Sequence, residues 1–203
     1  GKMKRNFKQC FYTVYSDNIV FLVEPNKKSI DDFIKNLKNV AEELRKEIKE
    51  NSSFTVSIGI GTYQESIIDV YISFVEAQKA VRIGRTVYEK DNTHIYSDLG
   101  VYKMLYNLSL EDDANKFCGK YLQSLIDYDI ENNSEYIKTL RSIVKNDWNL
   151  KQTSEEMFIH YNTIKYRFSK ICEIVNLDLN SREDKFKIEF CLKLMDMSNQ
   201  YSL

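Results

Sequence analysis

The sequence predicts a chain of two parts, an α+β amino-terminal half followed by an all-helical carboxy-terminal half. Short β-branched and aromatic runs alternate with amphipathic stretches up to about residue 98, which indicates mixed strands and helices. Beyond that point the apolar residues recur at three- and four-residue steps, the spacing of helices. The 203 residues, of which 43% are hydrophobic, suffice for one large domain or two small ones with a real core.

The first elements are predicted to form a β-hairpin. Residues 11–15 and 19–23 are apolar and β-branched, and Ser16-Asp17-Asn18 separates them. Asp and Asn favour turns because their side chains bond to nearby backbone groups. Pro25 ends the second strand, since it cannot donate to a sheet.

A long amphipathic helix is predicted to begin at Ser29, which with Asp32 approximates a capping box. Its apolar residues are Ile30, Phe33, Ile34, Leu37, Val40, Ala41, Leu44 and Ile48. A strand over residues 54–60 follows, in which Gly59 and Gly61 indicate a close approach or a bulge. A second helix over residues 69–85 and a short strand over 94–96 complete this half.

The remaining residues are predicted to be helical. Two helices over residues 101–108 and 112–127 precede a polar break at Asn132-Asn133-Ser134. Four more are predicted at 134–146, 153–159, 162–175 and 181–197. We therefore divide the chain into an α/β domain (1–98), a helical connector (99–131) and a helical domain (132–203).

Composition excludes several classes of protein. The 29 Lys and Arg against 30 Asp and Glu argue against a chain that coats nucleic acid by bulk charge, although a local basic face is compatible with them. No apolar run approaches the roughly 20 residues of a membrane span, and no signal-peptide core begins the chain. With no CxxC pair, Cys10, Cys118, Cys172 and Cys191 are predicted to be buried free thiols. We expect a cytoplasmic protein without membrane contact, metal or cofactor.

Residues 149–175 are typical of a helix-turn-helix. A short helix precedes a turn at His160-Tyr161, and a longer helix begins at Asn162 or Thr163. Its predicted buried stripe consists of Ile164, Phe168, Ile171 and Val175, and its predicted opposite face of Thr163, Tyr166, Arg167 and Lys170. Ser154 is small where the helices approach. The second helix of such a motif lies in the DNA major groove.

The residue types on this segment suit DNA recognition. The candidate DNA-binding residues are His160, Tyr161, Asn162, Thr163, Lys165, Tyr166, Arg167 and Lys170. Lys and Arg neutralise phosphates, Arg pairs with guanine, and Asn pairs with adenine. The pattern alone is equally compatible with an ordinary helical bundle, in which Asn162 only caps the helix. Glu155 and Glu156 weaken the electrostatic argument.

Residues 153–168 resemble the carboxy-terminal helix-turn-helix of PucR/CdaR-type bacterial transcriptional regulators. Five positions match that family's motif: His160, Asn162, Thr163, Tyr166 and Arg167. Residues 177–186 are similar to the motif that precedes its last helix. Tyr161 replaces a customary arginine, and Glu155 and Glu156 stand where alanines are common. The resemblance implies sequence-specific DNA binding.

The first half resembles the degenerate GGDEF-like domain of the same family, which implies a partial ferredoxin-like fold. Residues 54–61 look like the Ser-Ile-Gly strand of diguanylate cyclases, and residues 96–102 look like the link to the helix-turn-helix. The hairpin 15–19 stands at the GGDEF position, where only Asp17 remains of the acidic pair and Tyr15 and Ser16 replace glycines. The product-inhibition motif upstream of the hairpin would need Arg and Asp where Asn6 and Gln9 stand. The first strand of the fold, which supplies another metal carboxylate, is expected before residue 1. We therefore predict no enzyme activity.

The leading hypothesis is a regulator that reads double-stranded DNA through the helix 162–175 as a homodimer, because one short helix gives little specificity. The α/β domain and the last helix are candidate dimer surfaces. The apolar residues of that helix, which suit an interface or a private core, are Phe186, Phe190, Leu192 and Leu194. The alternative is a non-catalytic protein-interaction or nucleotide-sensing module. The sequence identifies neither an operator nor an effector.

Overall fold

A computed structural model describes residues 5–25, 29–88 and 90–198. The chain divides into two compact units, residues 1–103 and 104–203. The first unit is α+β and the second is helical, as the sequence predicts. Within the described residues, no helix has the length and apolar character needed to cross a bilayer.

The amino-terminal hairpin is confirmed. Strands β1 (Gln9–Tyr15) and β2 (Asn18–Glu24) pair antiparallel, with Gln9 opposite Glu24 and Tyr15 opposite Asn18. Ser16 and Asp17 make the two-residue turn, and Ser16 has a φ of 51°, so the tight connection holds a non-glycine residue in the left-handed region. The Tyr15 ring packs edge-on against Phe74 with centroids 5.7 Å apart.

Helix α1 (Ile30–Asn51) begins at the predicted cap. The Ser29 hydroxyl accepts a hydrogen bond from the backbone N–H of Asp32 at 3.4 Å, which satisfies one of the unpaired donors of the first turn. Members of the predicted apolar stripe are buried, among them Phe33 and Val40. On another side of the helix, Arg45 forms ion pairs with Glu42 at 2.9 Å and Asp91 at 3.0 Å.

Two short parallel strands flank the second helix of this unit. Strand β3 (Ile58–Ile60) pairs with β4 (Thr93–Ile95), and α2 (Val70–Val87) connects them after a 3₁₀ turn at Ile67–Asp69. The predicted strand 54–60 is too long, because only its last residues find a partner strand within the described chain. Phe54, for instance, is 73% exposed.

Gly59 marks a close approach between β3 and α2, one of the two alternatives that the sequence left open. A Cβ atom built on Gly59 would lie 2.0 Å from the carbonyl oxygen of Ala77, and one on Gly61 would lie 2.0 Å from that of Ser73. Any side chain there would overlap the helix backbone. Glycine therefore sets the packing distance between strand and helix.

Between the 3₁₀ turn at Tyr96–Leu99 and Ser198, the structure has six helices. They are α3 (Val101–Leu108), α4 (Asp112–Asn132), α5 (Tyr136–Lys145), α6 (Leu150–Met157), α7 (Tyr161–Val175) and α8 (Arg182–Ser198). Helix α4 is five residues longer than predicted. Helices α4, α5, α7 and α8 converge on one core, whose fully buried side chains include Leu122, Leu125, Leu140, Ile171 and Ile188.

Asp129 joins α4 to α5. Its carboxylate accepts hydrogen bonds from the backbone N–H groups of Tyr136 and Ile137, both at 2.8 Å, and from the hydroxyl of Ser134 at 2.6 Å. The start of α5 is thereby capped by a side chain from the preceding helix. Asn133 ends α4 in the left-handed conformation that asparagine tolerates.

The prediction of buried cysteines is confirmed for two of the four. Cys118 and Cys191 lie in the helical core, whereas Cys10 and Cys172 are partly exposed. Cys10 belongs to the hairpin, whose side chains are largely exposed, and Cys172 lies beside the buried stripe of α7. None of the four is in a disulfide. Within the described part of the chain, no three His, Cys, Asp or Glu side chains are arranged to hold a metal ion.

Candidate nucleic-acid interface

Helix α6 is fixed at its start by Asn149. The Asn149 side chain accepts hydrogen bonds from the backbone N–H groups of Lys151 and Gln152, both at 3.1 Å. Thr153 and Ser154 are buried, and their hydroxyls donate to carbonyl oxygens of the preceding turn at 2.8 and 2.6 Å. Small side chains with satisfied hydroxyls thus face inward, as predicted for Ser154, and let α6 pack closely on α7.

The turn between the two helices is built on Phe158. This residue adopts the left-handed conformation (φ 54°, ψ 38°), and the Ile159 N–H donates to the carbonyl of Ser154 at 3.0 Å. The Phe158 side chain is 96% exposed. The predicted helix 153–159 included this residue, whereas the structure ends α6 at Met157. A phenylalanine carries no signal for the position after a helix, which usually holds Gly or Asn.

His160, not Asn162, caps helix α7. The Nδ1 atom of His160 accepts a hydrogen bond from the backbone N–H of Asn162 at 3.3 Å, and the helix begins at Tyr161. The interpretation of Asn162 as the cap is therefore wrong by two positions. Asn162 lies in the first helical turn with its side chain exposed, which leaves its amide available to a ligand.

The predicted buried stripe of α7 is confirmed. Ile164 and Ile171 are fully buried, Val175 is nearly so, and Phe168 is partly buried against the same core. This stripe holds the helix against α5 and α4. The exposed candidate residues on α7 are Tyr161, Asn162, Thr163, Lys165 and Tyr166, and His160 before the helix is exposed as well. The outward side of α7 is therefore polar and aromatic.

Arg167 is not on the exposed face where the sequence analysis placed it. It is half-buried, and its Nη1 donates to the hydroxyl of Thr139 on α5 at 3.0 Å. Arg167 follows Ile164 by three residues and precedes Ile171 by four. These steps place it beside the buried stripe, so helical periodicity already contained the correction.

Lys170 is also engaged within the protein. Its Nζ lies 3.0 Å from the carboxylate of Glu173, and this hydrogen bond is the main cause that raises the pKa of Lys170. Glu156 on α6 is paired with Lys145 and accepts a hydrogen bond from Asn146. These two bonds, that of Lys145 first, lower the pKa of Glu156. The unfavourable charge expected from Glu156 is thus balanced by a lysine.

Two family models match the chain, one in each unit. The model of the PucR C-terminal helix-turn-helix domain matches residues 136–194, and that of the GGDEF-like domain matches residues 2–83. The first match spans α5 to α8 and includes every candidate DNA-binding residue. The second spans the hairpin, α1, β3 and most of α2.

Several proteins whose sequences are similar to this chain are named as regulators. The DNA-binding transcriptional activator AdeR of Bacillus subtilis is 30% identical over 91% of this chain and 44% of its own length. The proline-responsive transcriptional activator PutR of the same organism is 28% identical over 69% of this chain and 34% of its own. The carbohydrate diacid regulator of Escherichia coli is 26% identical over 75% of this chain and 39% of its own.

The chain spans less than half the length of these relatives. Among solved structures, a regulator of polyketide synthase expression from Bifidobacterium adolescentis aligns with 98% of this chain and 77% of that one, at a TM-score of 0.35 and 12% identity. The two domain matches, in this order, and the named relatives agree with one another. The chain belongs to the family of PucR/CdaR-type transcriptional regulators, of which it carries the GGDEF-like and helix-turn-helix domains.

Proposed function

We propose that this chain binds double-stranded DNA in a sequence-specific manner by placing α7 in the major groove. The observation that carries the proposal is the division of α7 into two sides. Ile164 and Ile171 fix one side in the core, while Asn162, Thr163 and Tyr166 extend from the other. A helix that is anchored along one side can present the opposite side to base edges without losing its own packing.

The exposed residues divide into base readers and phosphate contacts. Asn162 can form two hydrogen bonds with adenine, and Thr163 can contact a thymine methyl group or a phosphate. Lys165, Tyr161 and Tyr166 supply contacts to phosphate oxygens. Lys151 on α6 is a further candidate for a backbone contact. His160, whose Nδ1 is occupied by the cap, retains Nε2 for the same purpose.

Electrostatics favour this surface locally although the chain as a whole has a net charge of −1. No acidic residue occurs between Glu156 and Glu173, and Glu156 is balanced by Lys145. Binding should therefore weaken as salt rises, by a slope of about 0.9 for each phosphate neutralised.

We propose that the protein acts as a homodimer, with the two copies of α7 about 34–36 Å apart so that they read two half-sites. Of the candidate interface residues on α8, Leu192 and Leu194 are buried in the private core, and Phe190 packs against it. Phe186 is 63% exposed and stacks on Phe190 with ring centroids 5.9 Å apart. Of these four residues, Phe186 is therefore the one whose side chain is available to a partner protomer.

We propose no catalytic role for the α+β unit. Asp17 is an exposed turn residue, and Ser16 beside it occupies the left-handed position where a glycine would leave the backbone accessible. Incubation of the chain with guanosine triphosphate and magnesium should yield no cyclic dinucleotide, and formation of that product would contradict this point.

The test of DNA binding is selection of duplexes from a random pool at two salt concentrations, followed by affinity measurements on variants. Asn162→Ala should cost about 1–3 kcal/mol and relax the preference at one base position. Lys165→Ala should weaken binding to all sequences and lower the salt slope by about 0.9. Lys46→Ala removes an exposed lysine from α1 and should change neither quantity. Failure of the folded dimer to enrich any sequence would refute the proposal.

A further inference from the structure

One hydrogen bond between Arg167 and Thr139 connects α7 to α5, and a second bond within α5 orients the Thr139 hydroxyl. The Thr139 hydroxyl donates its single hydrogen to the carbonyl oxygen of Glu135 at 2.8 Å. Its lone pairs are then free to accept, and Nη1 of Arg167 donates to them at 3.0 Å. Thr139 is fully buried, so the arginine reaches into the unit to make this bond.

The charge of Arg167 is directed at the first turn of α5. The pKa of the Glu135 carboxyl is lowered by Lys138 first and also by Arg167. The Thr139 hydroxyl that accepts from Nη1 itself donates to the Glu135 carbonyl, so the guanidinium lies at the start of α5. Its place beside Ile164 and Ile171 gives α7 a polar attachment next to its apolar one.

A direct role in reading DNA asks for a different geometry. Bidentate recognition of guanine uses two parallel N–H donors directed outward from the helix. Here Nη1 is directed at a buried hydroxyl of the same unit. This bond holds the guanidinium against α5, and the side chain is half-buried instead of extending from the exposed side of α7.

We infer that Arg167 is a positioning residue of the DNA-binding surface, which fixes the orientation of α7 on α5 through Thr139. The inference rests on the proposed DNA binding. Arg167 then affects DNA only through the placement of Asn162 and its neighbours on the exposed side. Specific binding depends on that placement, whereas non-specific binding depends mainly on charge.

The test uses Thr139→Val, which removes the acceptor but keeps the charge of Arg167 and the volume of the side chain. Thr153→Val is the matched control, because Thr153 is equally buried and also donates to a carbonyl of its own helix, that of Asn149, at 2.8 Å. Both variants lose one such intrahelical bond. The fluorescence of Trp148, the single tryptophan of the chain, reports whether the helical unit is folded in each variant.

We expect Thr139→Val to weaken binding to the selected duplex about tenfold, which corresponds to about 1.4 kcal/mol and lies at the upper end of the usual net contribution of one hydrogen bond. Its salt slope and its binding to a random duplex should stay unchanged. Thr153→Val should bind the selected duplex within about twofold of the parent, beyond the effect of any unfolded fraction. Arg167→Ala should reproduce the loss, and the double variant Arg167→Ala with Thr139→Val should add little to it, because the two residues act through one bond.

The inference is overturned if Thr139→Val binds like the parent while Arg167→Ala loses affinity and lowers the salt slope by about 0.9, since Arg167 would then contact a phosphate directly. Equal losses of affinity in Thr139→Val and Thr153→Val would also overturn it, because the loss would then follow from removing any buried hydroxyl and not from removing the acceptor of Arg167. Absence of selected binding by the parent chain is a separate result, which refutes the proposed function itself.

Discussion

The helical unit and the α+β unit bury their apolar residues in different ways. In the helical unit, side chains from four helices meet in one core, in which Leu140 and Ile171 are fully buried. In the described part of the α+β unit, Phe33 and Ile60 lie in separate small clusters. Its hairpin carries Val14 at 70% exposure. Packing therefore dominates the stability of the helical unit, whereas backbone pairing maintains the hairpin.

The largest effect should come from a truncation in the helical core. Leu140→Ala should lower the free energy of unfolding of the helical unit by about 2–5 kcal/mol, because a fully buried side chain leaves a cavity. Val14→Ala in the hairpin should cost less than about 0.5 kcal/mol. Urea denaturation followed by Trp148 fluorescence and far-ultraviolet circular dichroism measures both. A comparable cost for the two substitutions would break the contrast between the units.

A second comparison uses the same substitution in both units. Gly59→Ala should destabilise the α+β unit by about 1–3 kcal/mol, because its Cβ would meet the Ala77 carbonyl at 2.0 Å and force β3 away from α2. Gly119→Ala on α4 meets nothing within 4 Å and should stabilise the helical unit by about 0.5–1 kcal/mol through helix propensity. Thermal unfolding of the two variants should shift in opposite directions, and shifts of one sign would contradict the packing argument.

A third substitution tests the turn of the helix-turn-helix. Phe158→Asn should stabilise the helical unit by about 0.5–1 kcal/mol, since asparagine tolerates the left-handed conformation and the exposed ring gives up little packing. Asn133 and Asn176 already end α4 and α7 in that conformation. The shift in urea midpoint by Trp148 fluorescence measures the effect. A loss of stability would show that the Phe158 ring contributes contacts of its own.

The smallest effect concerns pH and separates the units again. Burial first, and then the charge of Arg85, lower the pKa of His94 on β4 below its usual value. As the pH falls, His94 therefore takes up a proton more readily in the unfolded chain than in the folded unit. The free energy of unfolding of the α+β unit should be fully retained above about pH 7.5 and should fall as the pH drops through about 6.5 and below.

The control for this pH effect is His94→Gln, which should flatten the dependence between about pH 7.5 and 5.5. Far-ultraviolet circular dichroism during urea titration follows the α+β unit, and Trp148 fluorescence follows the helical unit in the same sample. An unchanged pH dependence in the variant would assign the effect to other groups.

The regular part of the fold was predictable because it depends on local patterns. Ser29 and Asp32 specified the start of α1, and the steps between Ile164, Ile171 and Val175 specified the buried stripe of α7. The strand before Gly59 was predicted too long, because strand residues need a partner that lies far away along the chain. Composition and spacing do not predict how many residues of the segment 54–60 pair with another strand.

The candidate site was predicted as a set of residues but not as a geometry. Asn162 and Tyr166 are exposed, as a DNA-reading role requires, and their participation stays a prediction. His160 holds the capping position that the helical-bundle interpretation gave to Asn162, and its Nδ1 accepts the backbone N–H of Asn162. Phe158 was predicted to be helical, because a phenylalanine does not indicate a left-handed turn.

The sequence by itself determined that strands and helices give way to helices alone and which side of α7 is apolar, since these depend on the periodicity of neighbouring residues. The tertiary structure alone decided the partner of Arg167. Thr139 lies 28 residues earlier in the chain, and only the packing of α5 against α7 brings its hydroxyl within hydrogen-bonding distance. Helical periodicity already places Arg167 beside the buried stripe of α7, but the acceptor that its guanidinium reaches depends on this long-range contact, which a local pattern does not contain.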